Sequence, residues 1–386
     1  MVMDRLFKLM AEKKASDIYM APGSPINIKI NGVTVPVNQQ AVDAATIESL
    51  LKEILSERQW QEFVEHRELN TGYSLQDVGS FRISVMQQRG TPAAVIRYIP
   101  GDIPALGTLN LPPILADLVM EKRGLILVVG STGSGKSTTL AAMLDHRNER
   151  RSGHILTFED PVEFTFRNKR AIVNQRQIGT DTDSLAIGLK NAMRQAPDCI
   201  LIGEIRDMET MSAAIAYAQS GHLVLSTLHA NNAYNALNRI ISFYPPENRH
   251  VMLADLSATL RAILSQRLVR TTAGARRAAV ELLLNTRRIA ELIEPGQLTD
   301  IREAMERSLA PGCQTFEQAL VAMVRDGTIS QDEALANADS PTSLLWMLEN
   351  KADGAAPPAA SGTPPGPAAA SGDAEGPSFS TIPLDT

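Results

Sequence analysis

The sequence contains few cysteines and no long apolar run. Only Cys199 and Cys313 occur among 386 residues. Two cysteines exclude a disulfide scaffold and a four-cysteine zinc site, and they favour a reduced, cytosolic compartment. The longest aliphatic runs, such as 125–129, are far shorter than the roughly 20 residues of a membrane-spanning helix, and the stretch 1–14 lacks the apolar core of a signal peptide. We therefore expect a cytosolic protein that does not insert into a membrane.

Excess positive charge is also missing. The formal net charge is −6, and the stretch from Asp353 to Thr386 has no Lys or Arg and contributes −4. The remainder is near neutral, which argues against a strongly basic nucleic-acid-binding surface. Residues 351–386 are rich in Ala, Pro, Gly and Ser. This composition predicts a disordered tail, because it buries too little apolar surface to offset the ordering entropy.

The order of strand and helix patterns predicts two domains. Over 1–99, short alternating runs and a hairpin signal around Asn31-Gly32 indicate an N-terminal α+β domain with an antiparallel sheet. Prolines within 100–113 mark a linker. Over 114–350, aliphatic runs alternate with helices, which is typical of an α/β domain with a parallel sheet. The end of this domain is predicted to be helical, starting with one long amphipathic helix over 247–268.

The most specific local motif is a phosphate-binding loop. Residues 130–137, GSTGSGKS, match GxxxxGK[ST] at every fixed position, between a predicted strand and a predicted helix. Lys136 is expected to reach the β- and γ-phosphates of a nucleotide, and the Ser137 hydroxyl to bind Mg²⁺. The predicted nucleotide-binding residues of this segment are Gly130, Ser131, Thr132, Gly133, Ser134, Gly135, Lys136, Ser137 and Thr138.

Two acidic segments follow predicted strands. HILTFEDPVEF ends its strand at Glu159 and carries Glu163 four residues later, and DCILIGEIRDMET places Glu204 at the tip of the next strand. Carboxylates at the carboxyl ends of parallel strands lie beside a phosphate loop, where Glu204 would face Mg²⁺ or its water. The alternatives are a solvated turn for the first segment, and for Arg206 in the second a structural ion pair.

A third segment, GHLVLSTLHAN, carries one histidine at each end of a strand. His229 lies at the strand end in line with the other segments, so a role in sensing the γ-phosphate is reasonable. His222 is the weaker candidate. A packed or surface position is the alternative for both side chains.

Together these four segments resemble, in order and spacing, the secretion ATPase superfamily. The stretches 16–38, 278–297 and 312–335 extend the resemblance to the type IV pilus retraction ATPases, the PilT/PilU family of twitching motility proteins, over residues 4–350. The stretches 227–250 and 260–269 look closer to the PilU branch. RIAELIEPGQ at 288–297 departs from the basic motif of PilT-like proteins, which also favours that branch. Pilus extension ATPases of the superfamily usually carry a tetracysteine zinc motif, which two cysteines exclude.

The resemblance implies a hexamer of RecA-like P-loop NTPase domains, each with a smaller PAS-like N-terminal α+β domain and a helical C-terminal region. It implies ATP and Mg²⁺ as ligands, and a location on the cytoplasmic side of the inner membrane at the pilus base. The implied partners are an inner-membrane pilus platform protein and a PilT-type retraction ATPase.

The resemblance also assigns residue roles. Glu163 is the first choice for orienting or deprotonating the attacking water, with Glu159 as the alternative. Glu204 is the Walker B carboxylate, and His229 belongs to the histidine box. Arg82 and Arg97, on strands of the N-terminal domain, resemble arginines that reach nucleotide, although solvent-facing arginines are the alternative.

Two other functional classes compete with a pilus motor that hydrolyses ATP. RecA-like hexamers also move nucleic acid, but the near-neutral charge and the absence of an evident basic-aromatic array count against a translocase. The departure at 288–297 keeps open a non-motor subunit that modulates another retraction ATPase. We predict a motor that does not bind nucleic acid.

Overall fold

The computed structural model describes residues 1–30, 32–76 and 78–350, so the predicted disordered tail lies outside the described residues. Within them the chain forms two sheets, one from the N-terminal part and one from the remainder. The helices and strands of the first part are α1 (Val2–Lys13), β1 (Asp17–Met20), β2 (Asn27–Ile30), β3 (Val33–Pro36), α2 (Ala44–Lys52), α3 (Glu57–His66), β4 (Glu68–Leu75), β5 (Gly79–Gln88) and β6 (Thr91–Pro100).

The N-terminal sheet is antiparallel throughout, in the order β3-β2-β1-β6-β5-β4. The predicted hairpin is present, with Ile30 opposite Val33. One face of α1 is buried at Met3, Phe7 and Met10, a helical spacing that covers the sheet. Phe7 stacks on Phe81 of β5 with ring centroids 3.9 Å apart. The α+β prediction is confirmed in this sense, while the PAS-like comparison and the domain boundaries stay predictions.

The rest of the chain surrounds a seven-stranded sheet in the order β13-β12-β7-β11-β10-β8-β9, in which β12 and β13 are antiparallel and the other pairs are parallel. Its elements are α4 (Leu115–Leu118), β7 (Gly124–Val129), α5 (Lys136–Arg150), β8 (Gly153–Glu159), β9 (Ala171–Gln177), α6 (Leu185–Ala192), β10 (Cys199–Ile202), α7 (Met208–Gln219), β11 (Leu223–Leu228), α8 (Ala233–Ser242), α9 (Arg249–Thr259), β12 (Leu260–Arg270), β13 (Arg276–Leu284), α10 (Arg287–Ile293), α11 (Ile301–Glu306), α12 (Phe316–Arg325), α13 (Gln331–Asn337) and α14 (Pro341–Glu349).

Both faces of this sheet are covered, which explains the continuous aliphatic runs. On β7, Leu125, Leu127 and Val129 belong to one buried cluster, while Ile126 and Val128 belong to the cluster on the opposite face. A strand buried on both sides has no polar face to alternate with. The predicted α/β domain with a parallel core and a helical C-terminal region is confirmed. Among the described residues no helix is both long and apolar enough to cross a bilayer.

The predicted long helix over 247–268 is wrong in its second half. Helix α9 ends at Thr259, and the chain continues as β12, which pairs with β7 in parallel and with β13 in antiparallel register. Residues 262–266 are buried on both faces of the sheet, and periodicity cannot separate such a run from a buried helix. Pairing along the open edge of β7 decides the outcome. The predicted C-terminal helices are present as α12, α13 and α14.

Candidate nucleotide site

A cleft of about 1640 Å³ lies between the N-terminal sheet and the carboxyl edge of the second sheet. It is lined by residues of both parts, including Arg82 and Arg97 from the first part and Lys136, Glu204 and His229 from the second. A ligand in this cleft would therefore touch both halves of the chain, at the edge where open α/β sheets bind ligands.

The phosphate loop joins β7 to the start of α5. A Cβ atom on Gly130 would lie 2.6 Å from Gln266 O on the neighbouring strand β12 and would also meet Ser134 Oγ. Glycine is therefore required for the loop to close against β12. Ser134 Oγ is buried and has no hydrogen-bond partner in the described part of the chain. The glycine-rich loop leaves room for a phosphate group, which could accept hydrogen bonds from the Ser134 hydroxyl and from the N–H groups at the start of α5.

Lys136 is the first residue of α5 and its side chain turns into the loop. Its Nζ donates to Gly130 O and to Ser131 O, each at 2.8 Å. Burial lowers the pKa of Lys136, while the nearby charges of Glu204 and Glu163 oppose that shift. The lysine and the two carboxylates are therefore close enough to influence one another. Ser137, Thr138, Thr132, Gly133 and Gly135 also line the cleft.

Glu204 follows β10 and is held by two side chains. Arg206 Nε donates to its Oε2 at 2.9 Å, and His229 Nε2 lies 3.3 Å from its Oε1. Arg206 therefore forms the structural ion pair that was the alternative interpretation of this residue in the sequence. Asp207 accepts a hydrogen bond from Thr210 N and caps α7. The geometry thus joins the predicted Walker B carboxylate to the predicted phosphate sensor.

The two glutamates of the first acidic segment have different environments. Glu159 Oε1 accepts hydrogen bonds from Thr157 Oγ1 at 2.6 Å and from Gln175 Nε2 at 3.1 Å, and burial raises its pKa. Glu163 lies in the loop after β8 and forms an ion pair with Arg82 Nη2. Both glutamates line the cleft, but Glu159 is held by side chains of its own sheet, whereas Glu163 is held by the N-terminal part of the chain.

Arg82 and Arg97 lie opposite each other on β5 and β6, and Asp17 lies opposite Arg97 on β1. Directly opposite residues point to the same face of a sheet. Arg97 Nε donates to Asp17 Oδ1 at 3.0 Å. Both guanidinium groups line the cleft, so the alternative of arginines that face only solvent does not describe this arrangement.

The two histidines are separated by the full length of β11. His229 follows the carboxyl end and lines the cleft, while His222 precedes the first residue of the strand. Six residues of strand span roughly 20 Å. His222 Nδ1 lies 3.1 Å from Tyr217 O, and its ring packs edge-on against Tyr217. The structure therefore places His222 in a packing role, at the opposite end of β11 from His229 and the phosphate loop.

Sequence patterns missed the residues that β12 and β13 contribute. Gln266 is buried and accepts a hydrogen bond from Thr139 Oγ1 at 3.0 Å, one turn into α5. Leu268 and Arg276 line the cleft. Because 260–268 reads as a continuation of α9, no local signal placed these residues beside the phosphate loop.

A second contact between the two parts lies next to the acidic segment. Gln177 of β9 approaches Gly72 of β4 so closely that a Cβ atom on Gly72 would lie 2.6 Å from Gln177 Oε1 and 2.8 Å from Pro161 Cβ. Gln177 Oε1 also accepts from Val162 N at 3.3 Å. Gly72 thus allows the N-terminal sheet to seat against the segment that carries Glu163.

Comparison with known proteins places the chain among secretion ATPases. The family model described as type II/IV secretion system protein matches residues 1–333. The chain is 44% identical to the type IV pilus ATPase PilU of Pseudomonas aeruginosa over 350 residues, covering 90% of this chain and 92% of that protein. It is 34% identical to the type IV pilus retractation ATPase PilT of the same organism, covering 87% and 98%.

A solved structure shows the same fold. The crystal structure of the pilus retraction motor PilT with bound ADP superposes with a TM-score of 0.83 at 37% identity, covering 89% of this chain and 98% of that chain. The resemblance seen in the motifs is therefore confirmed over nearly the whole described chain.

Proposed function

The chain belongs to the type II/IV secretion system protein family, and we propose that it is a hexameric motor ATPase that drives type IV pilus retraction. The observation that carries the proposal is the cleft in which Lys136, Glu204 and Glu163 meet arginines of the N-terminal sheet. Relatives named as pilus ATPases cover about nine tenths of the chain. A nucleotide bound in this cleft would touch both halves, so its hydrolysis could move one half against the other.

Binding is the first task of the site. The loop N–H groups and Lys136 would hold the phosphates, and the Ser137 hydroxyl with Glu204, directly or through water, would hold Mg²⁺. In residues 1–30, 32–76 and 78–350 no cluster of three or more His, Cys, Asp or Glu side chains could hold a metal. We therefore infer that the cation is held jointly by these residues and the nucleotide phosphates. Bound Mg²⁺ would neutralise charge on the phosphate oxygens.

Glu163 is our candidate for activating water. It lines the cleft and meets Arg82 across it, whereas Glu159, which also lines the cleft, is held through Oε1 by Thr157 and Gln175. Arg82 orients the Glu163 carboxylate from the other side of the cleft. Glu159 instead serves to fix β8 against β9.

The arginines provide the link between chemistry and movement. Arg82 and Arg97 reach the cleft from one sheet, and the phosphate loop, Glu204 and His229 reach it from the other. Guanidinium groups suit the charge that develops on phosphate oxygens, so phosphate binding and release would change the contact between the halves. The segment 100–113 joins the halves and would serve as the hinge.

The partners follow from the same proposal. A ring of six such chains would act on an inner-membrane pilus platform protein from the cytoplasmic side. The similarity to PilU leads us to propose that it works together with a PilT-type retraction ATPase. The proposal that the chain is a motor ATPase does not depend on these two partner assignments.

Pilus retraction in living cells tests the function. We expect a Lys136→Ala strain to lose the chain's contribution to retraction, because its lysine no longer holds the phosphates. Lys169→Ala is the matched control, since Lys169 pairs with Asp145 and Glu149 on the surface of the second part. Both strains are compared with and without a PilT-type partner. A Lys136→Ala strain that retracts like the control would contradict the motor proposal and favour a non-enzymatic accessory subunit.

A further inference from the structure

The loop that follows His229 is tethered at three consecutive residues. Two of them contact charged side chains from other elements: Asn231 O accepts from Arg267 Nη2 at 3.1 Å, and Asn232 Nδ2 donates to Asp339 Oδ2 at 2.7 Å. Ala233 N–H donates to Oε1 of the buried Glu281 carboxyl group at 2.6 Å. Hydrogen bonds to charged groups are among the stronger ones in proteins. The backbone just after His229 is therefore fixed by residues far away in sequence.

Arg267 is the centre of this arrangement. Its guanidinium lies over the ring of Phe316, 3.9 Å from the centroid, and is about four-fifths buried. It donates to Asn337 O and forms an ion pair with Asp339. The planar guanidinium group of Arg267 thus joins the loop after β11 to the segment between α13 and α14. A lysine would not reproduce this geometry.

The connection continues into the C-terminal helices. Ser340, next to Asp339, donates its N–H to Glu317 Oε1 at 2.8 Å. Glu317 is 1% exposed, and its Oε2 lies 3.2 Å from Arg302 Nη2 on α11. A continuous set of charged contacts therefore runs from the loop after His229 to α12 and α11. Breaking one contact would leave a partly buried charge without its partner, which is costly.

We propose that Arg267 and Asp339 are positioning residues that hold the His229 loop, so that the packing of α12–α14 sets how His229 meets Glu204. The inference rests on the proposed function, in which His229 responds to the γ-phosphate. His229 is half exposed and lies 3.3 Å from Glu204. Its own contacts are few, so the tethered backbone two residues later decides where the ring lies. The C-terminal helices thereby tune the hydrolysis step without touching the nucleotide.

Asp339→Ala in the full chain tests this role. We expect kcat for ATP to fall about tenfold, the order expected for losing charge-assisted contacts, while the Kd for fluorescent ADP, which lacks a γ-phosphate, stays within about twofold. Deuterium uptake of peptides spanning 229–235 should rise. Asp339→Asn keeps one of the two acceptor oxygens, enough for Arg267 or Asn232 but not for both, and should recover part of the activity. Arg325→Ala is the control, because Arg325 joins α12 to Met347 O and Asn350 O without reaching the loop.

The outcomes separate this inference from the proposed function. Unchanged kcat and unchanged deuterium uptake in Asp339→Ala would overturn the positioning role. An equal loss of kcat and an equal rise in uptake over 229–235 in Arg325→Ala would overturn the specific role of Arg267 and Asp339, since general loosening of the helices would then explain both effects. If the wild-type chain does not hydrolyse ATP, the proposed function fails, yet raised uptake confined to 229–235 in Asp339→Ala would still support the tether.

Discussion

Arg82 of the N-terminal sheet forms an ion pair with Glu163 of the second part across the cleft. The carboxylate proposed to activate water is thus held by the opposite half of the chain. Opening the cleft would break this pair, and closing it would restore the pair. The proposed movement of the two halves and the state of the Glu163 carboxylate would therefore be linked by one contact, and that link leads to the first two predictions.

Glu163→Gln should abolish turnover while leaving binding intact. The amide can still accept a hydrogen bond from Arg82 but cannot take a proton, so we expect kcat to fall about 100-fold or more. The Kd for ADP should stay within about twofold. Phosphate-release kinetics and fluorescent ADP titration check both values. Glu159→Gln is the comparison, and a larger loss of kcat in Glu159→Gln than in Glu163→Gln would reverse the assignment.

Arg82→Ala should reduce kcat about tenfold or more, because it removes both the partner of Glu163 and a guanidinium group that lines the cleft. Arg58→Ala is a matched control. Arg58 also lies in the N-terminal part and faces Asp183 of the second part at 3.7 Å, but that pair is exposed and should contribute little. The kcat for ATP hydrolysis is measured at steady state for Arg82→Ala and Arg58→Ala and compared with that of the wild type. Equal activities would show that the Arg82 contact has no special role.

Gly72→Ala should impair hydrolysis without unfolding the protein. The added methyl would meet Gln177 and Pro161 and would push the N-terminal sheet away from the segment that carries Glu163. A displacement of this kind is expected to lower kcat about tenfold or more. Ser74→Thr is the control, because it adds one methyl group at an exposed position of the same strand. ATP hydrolysis and Tm are measured on both, and normal kcat in Gly72→Ala would show that the close approach is not needed for activity.

Glu281→Gln should change how stability depends on pH. Burial raises the pKa of Glu281 to about 7, and Asp339 and Glu317 add to the shift, against hydrogen bonds from Ala233 and Ser265. The folded chain therefore holds this proton more tightly than the unfolded chain, whose carboxyl has an ordinary pKa of 4.5. Glu281 therefore adds to the free energy of unfolding below about pH 4.5, and this stabilising contribution is lost as the pH rises towards 7.

The glutamine variant does not lose a proton over this range. We expect Tm of Glu281→Gln minus Tm of the wild type to become more positive by about 2–5 °C between pH 5 and pH 8. Differential scanning fluorimetry at constant ionic strength measures the difference. Glu303→Gln, at an exposed helix position, controls for the loss of one acidic residue. A difference that does not change with pH would mean that Glu281 is not held as a protonated group.

Features carried by short contiguous segments could be predicted from the sequence. The phosphate loop is one, because strand, glycine-rich turn and helix N-terminus lie within about 20 residues. Glu204 is another, since it lies two residues after the aliphatic strand β10. The placement of Arg82 came from family resemblance, because nothing in β5 alone shows which residue it will meet across the cleft.

Features that depend on distant pairing could not be predicted. Gln266 was hidden because β12 is buried on both faces and reads as helix, and its strand state depends on the free edge of β7. The contact between Asn232 and Asp339 joins residues 107 apart and has no local pattern. The sequence did favour His229 over His222, because chain direction alone puts His229 at the carboxyl end of the predicted strand, in line with the other segments.

Phosphate release from ATP by the purified full-length chain tests the central claim most directly, when the wild type is compared with Lys136→Ala under the same conditions. We expect steady Mg²⁺-dependent turnover by the wild type and a loss of about 100-fold or more in the variant, because Lys136 is the charge that would face the phosphates. Equal rates in the two proteins would contradict that claim.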